Sequence, residues 1–262
     1  MKSYKMFLIL AVVLSADGFS QDVAGSSAQL RQLVNVPTAG VLGRGQYEVG
    51  MRLFDRGGVL ANIEVGVSDR FQFGISYGGE NFIGSGNIDF NPLPGVDARY
   101  RLIDESIPGP AVAVGFNNQG FGRFLQKVPG DTSGSEVDRY VQKSLGLFIV
   151  ASKNYAFMGT IGIHGGMNWA VTEKKDKDNQ PAFFVGVDKS LNPELSLVSE
   201  YILALNDNRD LIGHGRGYLN VGTKFNFNNQ IMIDFMMTDV LNNSKQIGKF
   251  AREFRLSLVN QF

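Results

Sequence analysis

From Gln46 onward apolar and polar residues alternate with a period of two, the pattern of strands that carry one apolar and one polar face. Tyr47, Val49, Met51 and Leu53 share a face, with Glu48 and Arg52 opposite. A second strand, 59–67, sets Ile63, Val65 and Val67 against Asn62 and Glu64. A third sets Phe71, Phe73, Ile75 and Tyr77 against Gln72, Gly74, Ser76 and Gly78, and a fourth sets Val96, Ala98, Tyr100 and Leu102 against Asp97, Arg99 and Arg101. The fifth runs over 111–116. Val141, Leu145, Leu147 and Ile149 mark a sixth, and Tyr155, Phe157, Ile161, Ile163, Met167 and Trp169 a seventh. In the eighth, Phe183, Val185 and Val187 point outward, with Phe184, Gly186 and Asp188 inward. The ninth has Leu195, Leu197, Tyr201 and Leu203 against Glu200, and the tenth Leu219, Val221 and Phe225 against Lys224. The eleventh has Ile231, Ile233, Phe235 and Met237 against Asp234. The chain closes on Phe254, Leu256, Leu258, Asn260 and Phe262, with Arg255, Ser257, Val259 and Gln261 opposite.

That makes about twelve strands, an even number. The connections SDR, SKN, SLNPE and NFNNQ are tight, and those after the third, fifth, seventh, ninth and eleventh strands are longer and polar. DRGG alone is short where a long loop is expected. Such sorting predicts periplasmic turns and extracellular loops. Tyr47, Phe71, Tyr155, Phe225 and Phe262 fall at the short-turn ends of their strands on the apolar parity, where a membrane girdle of rings sits. Charges keep to the other parity, which makes Glu48, Arg52, Glu64, Asp97, Arg99, Arg101, Asp188, Glu200, Lys224, Asp234 and Arg255 candidates to face a lumen, with His164 beside them. In lipid every backbone amide needs a partner inside the protein, so a sheet of this kind closes without free edges. The fold class expected is all-β: an antiparallel up-and-down transmembrane β-barrel over 45–262.

The amino terminus has Lys2 and Lys5, an apolar run from Met6 to Leu14 and small residues near Gly18 and Ser20, the layout of a cleaved signal peptide. The expected signal is 1–20, with Gln21 first in the mature chain. Residues 21–44, with GSS at 25–27 and LVNVPTAGVLGRG, lack alternation and read as a periplasmic lead-in or a plug. The expected place is the outer membrane of a Gram-negative bacterium. The formal net charge of zero leaves no basic excess for nucleic acid, and the lack of Cys excludes a disulfide scaffold. Six acids and five bases among the lumen charges show no single-signed stripe, so cross-lumen salt bridges in a narrow barrel are expected.

Catalysis, cofactors and metals are not expected. His164 lacks a Ser two residues on, since 166 is Gly, and so lacks the dyad of outer-membrane phospholipases. Asp207, Asp210 and His214 form a loose acid–His group in a loop where a surface role is the plainer reading. DKDN at 176–179 lacks the Gly and distal Glu of a calcium loop, and its loop, TEKKDKDNQ, reads as solvated. GSGN at 84–87 and HGRG do not lie between a strand and a helix, as a phosphate cradle requires. Gly66, Gly74, Gly146, Gly162, Gly186 and Gly222 fall mainly on lumen parity, which either leaves room for a solute or, the plainer reading, serves tight curvature or the close approach of an inner segment.

The terminal strand ending on Phe262 resembles the signal read by the barrel-assembly machinery, Asn260 departing from it. NVPTAGVLGRGQYEVGMRL, GVSDRFQFGISY, GVDARYRLIDESIPGPAVAVGF and FFVGVDKSLNPELSLVSEY, within 33–205, resemble the YjbH-like outer-membrane family associated with exopolysaccharide export. The resemblance implies a non-enzymatic accessory role in envelope or exopolysaccharide export, with outer-membrane lipid, the assembly machinery and a polysaccharide or export-complex proteins as partners. A small-solute porin-like channel, and a surface adhesin or scaffold using loops 117–139 and 171–180, are the other readings.

Overall fold

The structure, a computed structural model, describes residues 30–129, 136–208 and 212–262; the expected signal peptide and its cleavage site lie outside them. Alternating side chains and Gly- or Asn-marked turns build fifteen strands: β1 Gln46–Phe54, β2 Gly58–Ser68, β3 Phe71–Glu80, β4 Asp89–Phe90, β5 Gly95–Ile103, β6 Ala111–Asn117, β7 Phe121–Lys127, β8 Glu136–Gln142, β9 Gly146–Ala156, β10 Thr160–Trp169, β11 Ala182–Ser190, β12 Leu195–Ile202, β13 Tyr218–Phe227, β14 Ile231–Thr238 and β15 Ala251–Gln261. Twelve of them form a closed antiparallel ring, because β1 pairs with β2 on one side and with β15 on the other. Met51 therefore lies abreast of both Ala61 and Leu256. The two-residue β4 adds to the top of β3, and β7 and β8 form a separate hairpin.

Register fixes the faces. Val49, Ile63, Phe73, Ile75, Ile163, Val185, Phe235 and Leu258 are exposed on the outside, while Glu48, Gln72, His164, Glu200 and Asp234 on the opposite parity are buried. At one rim lie both ends of the ring and the turns 69–70, 104–110, 157–159, 191–194 and 228–230; the longer connections lie at the other. Asn228 and Asn229 hold φ of 51° and 55° between β13 and β14, the left-handed pair that a tight type I′ hairpin demands.

Four expectations change. The turn before β10 is Phe157–Gly159 rather than SKN, and Tyr155 ends β9 instead of opening the next strand. Val141 and Leu145 are not on a barrel strand: Val141 belongs to β8, and both are buried inside. The polar stretch 117–139 is not simply a loop, since it carries the β7–β8 hairpin (residues 130–135 lying outside those described). TEKKDKDNQ is only partly solvated, because Glu173 and Asp176 are buried.

The inner face is also less polar than expected. Leu33, Val34, Val36 and Ala39 of the lead-in pack within the ring against Phe148, Val150, Phe184, Val198, Ile202, Tyr218 and Met236 of the wall. Residues 30–43 thus occupy the lumen from the turn rim inward. The β7–β8 hairpin meets them from the loop rim, where Gln142 Oε1 accepts from Asn35 Nδ2 at 3.0 Å.

Candidate functional site

The occupied lumen is the candidate site. Residues 32–37 turn back on themselves: Leu33 N–H donates to Val36 O and Thr38 N–H to Arg31 O, both at 3.0 Å. A turn this tight leaves successive amides pointing outward without strand partners. The carboxylate of Glu200, projecting from β12, takes them, accepting from the N–H of Val34 at 2.9 Å, Asn35 at 2.8 Å and Val36 at 3.0 Å. Three successive amides converging on one anion form a backbone nest. Asn220 Nδ2 supplies a fourth donor at 2.7 Å.

Wall bases take the carbonyls of the same segment. Arg255 donates to Val34 O at 2.8 Å, Arg99 to Arg31 O at 2.7 Å and to Gly40 O at 3.1 Å, and Arg101 to Ala39 O at 3.0 Å. Gln72 accepts from Leu42 N–H at 3.0 Å. Two wall glycines make room: a Cβ at Gly66 would lie 2.0 Å from Gly43 O, and one at Gly186 would lie 2.2 Å from Leu33 Cδ1.

All twelve sequence-derived lumen candidates lie on the inner parity of their strands, and most are paired. Arg31 of the lead-in bridges Glu48 and, at 3.5 Å, Glu64. Arg52 pairs with Glu253 and also donates to Asn35 Oδ1 at 2.7 Å. Lys224 and Arg255 converge on Asp234 at 2.6 and 3.5 Å, and Arg99 lies 3.7 Å from Asp97. Arg101 reaches Asp104 at the turn rim at 3.8 Å. These pairs lie within β5 and its turn, join neighbouring strands, or join the wall to the inner segment, and do not span an open lumen. Sequence reasoning put Gln72 on the polar face without naming it a lumen candidate and missed Ser152, Asn220 and Glu253, polar residues on the same inner parity whose positions could have named them.

His164 has more company than the sequence suggested. Its Nδ1 lies 2.8 Å from Ser152 Oγ on β9, and its Nε2 lies 2.7 Å from Asp188 Oδ1 on β11. Residue 166 is Gly, but pairing of β9 with β10 places Ser152 directly abreast of His164. The chain of hydrogen bonds does not face a cleft. Ser152 Oγ accepts from Ala39 N–H at 2.8 Å, so the hydroxyl is held against the inner segment, and both Ser152 and His164 are buried. The arrangement seats Ala39; a nucleophile would need the hydroxyl open to a substrate.

A second buried cluster closes the loop end. Arg139 of β8 pairs with Asp207 and, at 3.0 Å, with Asp176, which Lys143 also contacts at 2.6 Å. Tyr218 OH donates to Asp207 at 3.1 Å. Glu173 accepts from the N–H of Tyr140 and of Ser144, each at 2.7 Å, and burial pushes its carboxyl above the usual range. Asp207 is therefore not a partner for His214, which stays exposed; Asp210 lies outside the described residues. No group of His, Asp and Glu among the described residues could hold a metal.

The rim aromatics sit together at the turn end. Tyr47 stacks on Phe262 with centroids 5.6 Å apart, Phe225 meets Phe235 edge-on at 6.1 Å, and Phe71 and Tyr155 are half-buried on the same outward parity. An even-numbered closed ring with apolar residues outside, charges inside, tight turns at one rim and long loops at the other is the architecture of single-chain bacterial barrels that cross a bilayer. The chain is an outer-membrane β-barrel of a Gram-negative bacterium. Among solved structures it is similar to a KdgM porin (TM-score 0.45, 10% identity, covering 83% of this chain and 99% of that one). It is also similar to the Acinetobacter baumannii outer membrane protein Omp33 (TM-score 0.44, 12% identity, 83% and 98%) and to the COG4313 outer membrane channel from Pseudomonas putida F1 (TM-score 0.38, 11% identity, 84% and 97%). No protein-family model and no curated protein matches the sequence, so the resemblance to the YjbH-like family is not confirmed.

Proposed function

We propose that the protein is a non-enzymatic outer-membrane barrel, sealed at rest, that serves envelope or exopolysaccharide export as an accessory. The observation that carries the sealed state is the occupied lumen: residues 30–43 fill it from one rim and the β7–β8 hairpin from the other. Between Asn35, Phe121, Tyr218 and Glu253 lies a cavity of about 30 Å³, room for a water or two. The export role rests on the segments that resemble the YjbH-like family, one of which, NVPTAGVLGRGQYEVGMRL, begins within the inner turn. On this reading lipid surrounds the belt, the assembly machinery reads the terminal strand, and a polysaccharide or export-complex protein engages a mouth. Deleting the gene is expected to reduce surface polysaccharide; a normal level would overturn the export role. Purified protein in planar bilayers is expected to show no steady conductance, and an open ohmic pore would overturn the sealed state.

A second reading, a small-solute channel, draws on how the inner segment is held. Among the described residues no backbone-to-backbone hydrogen bond joins 31–42 to a barrel strand. A segment held by side chains alone can leave without breaking the ring. The adhesin reading loses support, because the loops it would use turn Arg139, Glu173 and Asp176 inward.

A further inference from the structure

We propose that residues 30–43 are a movable gate, latched by Glu200 and withdrawn through the turn rim, while the loop-side cap stays in place. The inference rests on the sealed barrel argued above and concerns how the seal is regulated. Topology supplies the direction. The outgoing arm leaves at the turn rim, where Arg44 N–H meets Asp69 and Gly45 N–H donates to Gly66 O at 2.9 Å. The incoming arm runs back alongside it, with Leu30 O bonded to Thr38 Oγ1 and Leu30 against Gly40. Both arms therefore run the same way, and the turn can slide out as a hairpin without threading the ring. The cap has no such exit. Its hairpin leaves and rejoins the wall at the loop rim, between β6 and β9, and Arg139 ties it to Asp176 and Asp207 in two further loops.

Glu200 is the latch because one side chain gathers the three amides at the deepest point, and its hydrogen-bond partners are N–H groups only. Arg101 and Arg255 each hold one carbonyl and Arg99 holds carbonyls nearer the turn rim, and Arg52, Arg99 and Arg255 keep carboxylate partners on the wall once the hairpin leaves. Removing the Glu200 carboxylate strands three buried amides that donate to no other group among the described residues.

The chain has no Cys, so one introduced thiol reports on one place. Val34→Cys puts it at the fully buried tip of the hairpin, and Val137→Cys puts one in the buried cap. Full-length protein, refolded in detergent, is treated with a water-soluble maleimide with Glu200 intact or changed to Ala. Labelling at 34 is expected to quicken at least about ten-fold in Glu200→Ala, to fall in between in Glu200→Gln, whose amide oxygen still accepts, and to stay slow at 137 throughout. Equal rates at 34 within about two-fold, or rates at 137 rising in step, would overturn the latch. Should Glu200→Ala fail to fold, Asn220→Ala removes one donor to the carboxylate and is expected to raise labelling at 34 about three-fold; no rise there counts against the proposal equally. Labelling reads the latch on purified protein and surface polysaccharide reads export, so the failure of one leaves the other standing.

Discussion

Ile75 tests the face assignment on which the membrane reading stands. It lies mid-strand on β3, half exposed, with Ile63 of β2 and Val96 of β5 abreast. If that surface meets acyl chains, Ile75→Arg places a guanidinium near mid-depth, at a cost of about 2–4 kcal/mol. Val67 is a matched control: it is also exposed and outward, but lies at the turn end of β2, where Arg is expected to cost about 0–1 kcal/mol. A difference of about 2 kcal/mol is roughly a thirty-fold change in the folding equilibrium constant. The assay is urea titration of folding into lipid vesicles, read by Trp169, the one tryptophan, which faces outward on β10 and has its indole N–H fixed to Asn179 O at 2.9 Å. Equal costs at 75 and 67 would refute the reasoning, because burial differs little between the two sites and only depth in a bilayer separates them.

The loop-side cluster and its tyrosine supply two further tests. Arg139→Met removes the cation shared by Asp176 and Asp207 and is expected to cost about 3–5 kcal/mol, towards the lower figure because Lys143 keeps Asp176. The cap should loosen before the ring, so trypsin cleavage at the exposed Lys174, Lys175 and Lys177 should quicken while the folded barrel persists; unchanged cleavage would argue against a cap held by this pair. Burial, with a smaller push from the Glu173 carboxylate, raises the Tyr140 phenol to about 12, whereas in the unfolded chain it ionises near 10. The folded state therefore keeps its proton longer, and stability is undiminished below pH 10 and falls between pH 10 and 12, by about 2–3 kcal/mol in all. Urea midpoints measured across that window should fall less steeply in Tyr140→Phe; identical slopes would refute the assignment.

What could be read from the sequence divides along one physical line. Period-two alternation reports which side of a strand meets which medium, so the ring, its faces and the positions of Glu48, Arg99, Glu200 and Asp234 were legible. Register between strands leaves no such trace, and this is why Ser152 and His164, twelve residues apart, could not be paired from their order. The turn near 155 was misplaced because Ser152, Lys153 and Asn154 form a polar run that imitates a turn, with Lys153 on the outward parity abreast of Ile163, whereas β9 continues to Ala156 and the chain turns at Phe157–Gly159. The lead-in carries no periodicity because side chains more than a hundred residues away, above all Glu200, satisfy its amides.

One sign of the inner segment was nevertheless written in the wall. Runs such as Phe148–Ile149–Val150 and Phe183–Phe184 are apolar on both parities, so they break the alternation that a water-filled lumen would impose. An inward Phe or Val facing water forgoes about 1.5–3 kcal/mol of burial, a loss that several neighbouring strands would not share without cause. The inward members of these runs, Phe148, Val150 and Phe184, are the residues that pack on Leu33, Val34, Val36 and Ala39. Gly186, without a side chain and two residues along from Phe184, is where Leu33 presses against the wall. A barrel strand that is apolar on both faces beside an inward glycine therefore marks a dry lumen, and in this chain it marks where the gate lies.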